Sequence, residues 1–144
     1  SLVGPNSWFP LSCQSKRQSC VSFSTPEAEI VAANTAIRNV GLPALILWDF
    51  IKNPSKMRLE FHEDNQSTIQ VIKTGKNPTM RHLSRTHGVS VAMLHEIFQR
   101  EKNMSIHYAK SDTQRADIYT KMFKDKAVWS NAVKLIGIER RAKL

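Results

Sequence analysis

Short runs of alternating apolar and polar residues open the chain, a pattern typical of β-strands separated by turns. The stretch "LVGPNSWFPLSCQSKRQSCVSF" predicts a strand, a Gly-Pro-Asn turn, a second strand, a polar turn and a third strand. From Ser24 the period becomes helical, because apolar residues recur three or four positions apart at Ile30, Ala33, Ile37 and Val40. We therefore expect an N-terminal group of strands followed by a helix.

Helices and strands alternate along the rest of the chain. Gly41 and Pro43 interrupt the first helical stripe, and "ALILWDFI" predicts a second helical piece. "KMRLEFHED" predicts a strand, Asn65 to Lys73 a short helix, and "SRTHGVSVAMLHEIFQREK" a longer helix entered near Thr86. "MSIHYA" predicts a strand, "SDTQRADIYTKM" a capped helix and "KAVWSNAVKLIG" a terminal helix. This order predicts a single α/β domain over residues 1–144, with one mixed sheet and flanking helices.

The charge of the chain favours a polyanionic partner. Lysine and arginine outnumber the acids by 21 to 12, which gives a net charge of +9. No Asp or Glu occurs among residues 1–26, and none lies between Asp64 and Glu96. Such a balance favours nucleic acid over a membrane surface, with a merely solvated basic surface as the alternative.

Two further observations concern the environment of the protein. No apolar run approaches the roughly 20 residues that span a bilayer, so we expect no membrane insertion. Cys13 and Cys20 form neither a disulfide framework nor a metal knuckle, and we expect both to be reduced in an intracellular protein.

Three acids come from elements that are distant in sequence. Glu29 shares the small-residue face of the first helix, Asp64 ends a strand, and Asp117 lies in the first turns of a late helix. If they converge at one edge of the sheet, their hard oxygen ligands suit Mg²⁺ or Mn²⁺. Each acid also has an ordinary interpretation: a helix cap for Asp64, a lysine partner for Glu29, and a surface position for Asp117. Glu27 is interpreted as a first-turn acid that closes a capping box with Ser24.

Three long motifs are spread over residues 8–123 and occur in a specific order. They are "WFPLSCQSKRQSCVSFSTPEAEIVAANTAI", "EDNQSTIQVIKTGKNPTMRHLSRTH" and "DTQRADIYTKMF". Together they resemble the signature of the ribonuclease H domain at the end of copia-type LTR-retrotransposon polyproteins. The resemblance implies an RNase H-like fold and a hydrolase that cuts the RNA strand of an RNA–DNA hybrid with two Mg²⁺ or Mn²⁺ ions.

The resemblance also implies roles for individual residues. Glu29 would be the helix ligand, Asp64 the ligand at the end of the fourth strand, and Asp117 the last ligand. The basic loop and helix around Arg81 to His87 would contact the backbone of a hybrid or of RNA, read by shape and 2′-OH groups. The expected nucleic-acid contacts are Lys16, Arg17, Lys76, Arg81, Arg85 and Lys121. His82, His87 and His95 match no zinc spacing, so helix packing or phosphate contact is the favoured role for them.

One part of the family pattern is absent. The family's first metal ligand is an Asp on the first, central strand, whereas this sequence has no acid before Glu27. We therefore expect an N-terminally incomplete domain, in which a hairpin and a strand pair have unpaired edges. An upstream segment of the same polypeptide or another chain would supply the missing strand by strand addition.

Two functions remain open at this stage. The first is a metal-dependent endonuclease that becomes active when the missing Asp is supplied, although this chain alone is expected to be inactive. The second is a domesticated, catalytically inactive module without cofactor, with a structural or nucleic-acid-binding role in a ribonucleoprotein or organellar complex. A retrotransposon enzyme would act in the cytoplasm or nucleus, and a domesticated module would fit an organelle as well.

Overall fold

The computed structural model describes residues 1–51 and 57–138. The chain divides into two compact units. The central unit comprises Gln18–Tyr108, and the terminal unit comprises Ser1–Arg17 together with the described part of Ala109–Leu144. Each unit is described by itself.

Four strands and six α-helices are formed by the described residues. The strands are β1 (Leu2–Gly4), β2 (Ser7–Phe9), β3 (Leu59–Glu63) and β4 (Met104–Tyr108). The α-helices are α1 (Thr25–Ala36), α2 (Leu42–Ile51), α3 (Gln66–Thr74), α4 (Leu83–Thr86), α5 (Val91–Arg100) and α6 (Lys126–Leu135). The predicted α/β class is confirmed at this level. The described residues form two separate two-stranded sheets in place of one continuous mixed sheet, and these are a hairpin and a strand pair, as expected for a domain without its central strand.

The terminal unit contains the antiparallel hairpin β1–β2, in which Val3 pairs with Trp8. The guanidinium of Arg115 lies 4.4 Å from the ring centroid of Trp8, a cation–π contact. The predicted helix over "SDTQRADIYTKM" is wrong, because the backbone of Gln114 is extended and separates two 3₁₀ turns, Ser111–Thr113 and Arg115–Tyr119. The terminal helix is confirmed as α6.

A long helix runs through the central unit. Ser24 is the N-cap of α1, as expected, and its side chain accepts a hydrogen bond from the Glu27 N–H at 3.3 Å. The predicted interruption at Gly41 and Pro43 is wrong, because a π-helical turn over Ile37–Gly41 joins α1 directly to α2. The wider turn carries the chain past Pro43, which has no N–H to donate.

Length and composition alone would allow this helix to cross a membrane. It spans Thr25–Ile51, and 39% of its most apolar 18-residue window is buried. The core helix of a soluble protein meets the same criteria of length and composition. The expectation of no membrane insertion therefore stays a prediction.

The sheet of the central unit is a parallel pair. Leu59 of β3 lies opposite Met104 of β4, and Phe61 lies opposite Ile106. These four side chains share one side of the pair and belong to the apolar core or pack against it. The fully buried centre of the core comprises Ile30, Ile37, Ile72, Leu83, Val89 and Leu94. The core therefore lies between the helices and one face of the β3–β4 pair.

Two other predictions about the central unit fail for local reasons. Residues 10–24 form no strand, although a third strand was expected there. The Gln18 side chain instead donates a hydrogen bond to the Ala28 carbonyl of α1 at 2.9 Å. The expected long helix breaks into α4 and α5, because Gly88 adopts a positive φ of 64° and Ser90 caps a new helix.

Burial predicts how substitutions along the long helix affect stability. Ile30→Ala is expected to lower the free energy of unfolding by about 2–5 kcal/mol, because Ile30 is fully buried. The same change at Ile46, which is 59% exposed, should cost less than about 0.5 kcal/mol. Urea denaturation followed by circular dichroism measures both. Equal losses would show that the helix is not packed as described.

Candidate active site

A buried carboxylate ends strand β3. Glu63 is 5% exposed, and its Oε1 atom accepts a hydrogen bond from the Asn65 N–H at 3.0 Å. Asn65 in turn caps α3, because its Oδ1 atom accepts from the Thr68 N–H at 3.1 Å. The turn from β3 into α3 is therefore held by side-chain bonds on both sides of Asp64. The interpretation of Asp64 as the helix cap is wrong, since Asn65 has that role.

Glu63 forms an acidic group with two of the predicted site residues. The pKa of Glu63 is raised to about 7, chiefly by burial and also by the negative charges of Glu29 and Asp64, against the opposing backbone hydrogen bonds from Asn65 and Asp64. Glu29 and Asp64 therefore lie close enough to act on the same side chain. We call Glu29, Glu63 and Asp64 the carboxylate cluster.

A contact between α1 and α3 helps to position this cluster. Thr68 is fully buried, and its hydroxyl donates a long hydrogen bond of 3.4 Å to the Pro26 carbonyl in the first turn of α1. The contact ties the start of the helix that carries Glu29 to the helix that follows Asp64. The packing of α1 against α3 therefore fixes the start of α1 relative to the β3–α3 turn, and the convergence of Glu29 and Asp64 at one site stays a prediction.

The sequence interpretation missed Glu63. The sequence does contain a signal for Glu63. The period of two in β3 places residue 63 on the same side as Leu59 and Phe61, which face the core. An acid on the core side of a strand is costly to bury and is a candidate for a functional group. The sequence pattern indicates Asp64 instead, because Asp64 stands at the junction between the strand and the next helix.

Asp117 belongs to the terminal unit. Its Oδ2 atom accepts a hydrogen bond from the Lys121 ammonium at 2.6 Å, and the same ammonium donates to the Ser111 hydroxyl at 3.1 Å. Lys121, an expected nucleic-acid contact, is therefore engaged by an acid and a hydroxyl of its own unit. The convergence of Asp117 with Glu29 and Asp64 stays a prediction.

The other expected nucleic-acid contacts lie on the surface of their units. In the terminal unit, Lys16 and Arg17 are exposed at the end of the first segment. In the central unit, Lys76, Arg81 and Arg85 are exposed between α3 and α5. Arg81 and Arg85 flank the buried Leu83, so the backbone between them is held against the core.

Glu27 has more partners than a first-turn acid needs. Its Oε2 atom accepts from the Phe23 N–H at 3.0 Å, whereas a capping box would use the N–H of Ser24. Its Oε1 atom lies 3.2 Å from Nε2 of His82 and 3.3 Å from Nε2 of His87. Burial by itself would raise the pKa of Glu27, but the Phe23 N–H and the two imidazoles lower it below the ordinary value of 4.5.

The three histidines are used for packing in the described structure. His82 and His87 face Glu27, and Nδ1 of His95 lies 3.0 Å from the Ile72 carbonyl at the end of α3. Within residues 1–51 and 57–138, no three His, Cys, Asp or Glu side chains form a group that could hold a metal ion. A closed structural metal site therefore does not fit the described part of the chain.

An open magnesium site needs fewer protein ligands than a closed structural site. Mg²⁺ usually keeps several waters and takes one or two carboxylates plus substrate oxygens. Glu29 and Asp64 carry hard oxygen donors of this kind, and the charges of both act on the buried Glu63. The donor chemistry of the carboxylate cluster thus fits Mg²⁺ or Mn²⁺ bound with water and substrate.

Comparisons of the chain with protein-family models, with curated proteins and with solved structures found no match.

The raised pKa of Glu63 predicts a pH dependence of stability. Between pH 4.5 and about 7, folded Glu63 holds a proton that the unfolded chain has released, so wild-type stability falls as the pH rises. Glu63→Gln should remove this slope and gain about 2–3 kcal/mol relative to wild type between pH 5 and pH 8. Denaturant unfolding at several pH values measures the difference.

Glu60→Gln is the matched control for this experiment. Glu60 lies on the same strand, but its side chain is exposed on the opposite side from Glu63. The free energy of unfolding of Glu60→Gln should change with pH as it does for wild type. Parallel pH profiles for wild type and Glu63→Gln would contradict the assignment.

Proposed function

We propose that this chain is an RNase H-like domain of the copia-type retrotransposon class, which acts on the RNA strand of RNA–DNA hybrids. The observation that carries the proposal is the strand pairing, an antiparallel hairpin β1–β2 and a parallel pair β3–β4, with the buried Glu63 at the end of β3 under the charges of Glu29 and Asp64. The order and extent of the three sequence motifs support the same class.

The strand pairing is compatible with this fold. In the RNase H-like sheet the first strand lies between the second and the fourth. Removing it leaves an antiparallel hairpin and a separate strand pair. The described sheets are an antiparallel hairpin, β1–β2, and a parallel pair, β3–β4. This correspondence supports the proposed fold with β1–β2 as the hairpin and β3–β4 as the pair.

In this proposal the chain supplies part of a cation site and part of a nucleic-acid surface. Glu29 and Asp64 would hold Mg²⁺ or Mn²⁺, which activates water and stabilises the leaving oxygen. Arg81 and Arg85 contact the phosphate backbone, because both are exposed and neither has an acidic neighbour in the sequence between Asp64 and Glu96. Hydrolysis also needs an acid in place of the family's first Asp, which this sequence does not contain.

A second candidate function is a catalytically inactive module in a larger complex. The described β3–β4 sheet has only two strands, and such sheets are marginal unless another strand or a helix supports them. A strand from another chain would complete it by main-chain hydrogen bonds.

Hybrid binding tests the nucleic-acid part of both candidates. Wild type should bind an RNA–DNA hybrid duplex with an affinity that falls as salt rises, because phosphate contacts release counterions. Arg81→Gln should reduce the slope of log affinity against log salt by about one. Fluorescence anisotropy with a labelled hybrid measures the slope.

Arg100→Gln is the control for loss of one positive charge. Arg100 is exposed at the end of α5 and pairs with Glu96 one turn earlier. It lies outside the acid-free stretch between Asp64 and Glu96 that contains Arg81 and Arg85. The slope of log affinity against log salt should be the same for Arg100→Gln as for wild type. A protein that binds no hybrid at low salt would rule out both nucleic-acid functions.

Cleavage separates the enzyme from the inactive module. If the 144-residue chain cuts the RNA strand with Mg²⁺, Glu29→Gln and Asp64→Asn should each reduce the rate at least about 100-fold. Glu60→Gln should leave the rate unchanged, because this exposed acid lies on the other side of β3. Hybrid binding without cleavage by wild type would favour the inactive module. Cleavage that survives Asp64→Asn would contradict the proposed cation site.

A further inference from the structure

The most deeply buried acid of the central unit belongs to a cluster outside the proposed cation site. Glu27 is 1% exposed and the side chain of His87 is also 1% exposed. One carboxylate oxygen of Glu27 faces both imidazoles, at 3.2 Å from Nε2 of His82 and 3.3 Å from Nε2 of His87. The other oxygen accepts from the Phe23 N–H. Both oxygens of this buried acid therefore have polar partners, as a buried carboxylate requires.

The two histidines lie near the two ends of a short stretch that is partly exposed. We call residues 81–87 the basic turn, since it contains Arg81 and Arg85 and no acid. Leu83, next to His82, is buried in the core at 1% exposure, and the side chain of His87 is equally buried. Arg81 and Arg85 remain exposed. Inward and outward residues are thus interleaved along the basic turn.

Neighbouring contacts hold the same stretch at its flanks. The ring of Phe23 packs edge-on against His82 with centroids 5.6 Å apart. The Cys20 thiol donates to the Thr86 carbonyl at 2.8 Å. Beyond His87, Gly88 adopts a positive φ that returns the chain to the core at Val89, which is 2% exposed. The segment before α1 and the basic turn are therefore packed on one another around Glu27.

We propose that Glu27 is a positioning residue for nucleic-acid binding: by engaging His82 and His87 it holds the basic turn so that Arg81 and Arg85 face a phosphate backbone. Glu27 itself is buried and does not touch the nucleic acid. This inference rests on the proposed binding of an RNA–DNA hybrid. It explains why two histidines five residues apart face one buried acid on a different helix.

A double-mutant cycle tests the inference. Glu27→Gln removes the negative charge with little change in shape, and should weaken hybrid binding roughly tenfold through misplacement of the basic turn. In a background that carries Arg81→Gln and Arg85→Gln, the same change should weaken binding less than about twofold, because the groups that Glu27 positions are gone. Anisotropy titrations with the labelled hybrid give all four dissociation constants.

The outcome of the cycle distinguishes positioning from general destabilisation. An equal loss of affinity in both backgrounds, or no loss in either, would overturn the inference. Glu96→Gln removes a carboxylate from an exposed pair on α5 and should leave the affinity unchanged. If Glu27→Gln does not fold, His82→Gln replaces it in the cycle, because this histidine side chain is 37% exposed and tolerates change better.

Hydrogen exchange supplies a readout that needs no nucleic acid. Glu27→Gln should speed the exchange of backbone amides within residues 81–87 at least about tenfold, while the amides of α5 exchange as in wild type. Unchanged exchange in the basic turn would overturn the inference. If wild type binds no hybrid, the proposed function fails, and faster exchange confined to the basic turn would still establish Glu27 as the residue that holds it.

Discussion

A single buried negative charge holds together three parts of the central unit. Glu27 lies in the first turn of α1, accepts the N–H of Phe23 from the preceding segment, and faces the imidazoles of His82 and His87. A carboxylate at this depth without partners would cost several kcal/mol, so the structure depends on keeping those partners in place. The start of α1 and the basic turn are therefore fixed relative to each other by electrostatics as well as by the apolar core around Leu83.

The same helix carries a second acid with the opposite environment. Glu29 follows Glu27 by two residues, which places the two side chains about 200° apart around α1. The carboxylate of Glu27 faces the imidazoles of His82 and His87, whereas the charge of Glu29 acts on Glu63, whose pKa is raised to about 7 by burial and by neighbouring acids. A buried acid whose pKa is raised by burial and by neighbouring charges is typical of sites that bind a cation or carry out chemistry. The start of α1 thus carries a stabilising carboxylate, Glu27, and a candidate functional one, Glu29, on different sides of the helix.

Elements with strong local signals could be predicted from the sequence. Ser24 caps α1, the alternation of Leu59 and Phe61 marks β3, and the apolar spacing after Asp125 marks α6. The third strand before Ser24 could not be predicted correctly, because a strand forms only if another strand pairs with it. Gln18 instead bonds to the backbone of α1. The convergence of Glu29 and Asp64 at one site stays a prediction, whereas Glu63 was missed.

The sequence by itself determined the positive charge, the helical and strand periods, and the placement of Asp64 at the end of a strand. These properties depend on composition and on near neighbours along the chain. Only the tertiary structure decided that Glu27 meets His82 and His87 across 55 and 60 positions, and that Glu63 is buried beside Glu29. Burial and charge pairing depend on which distant segments pack together, and no local pattern in the chain encodes that packing.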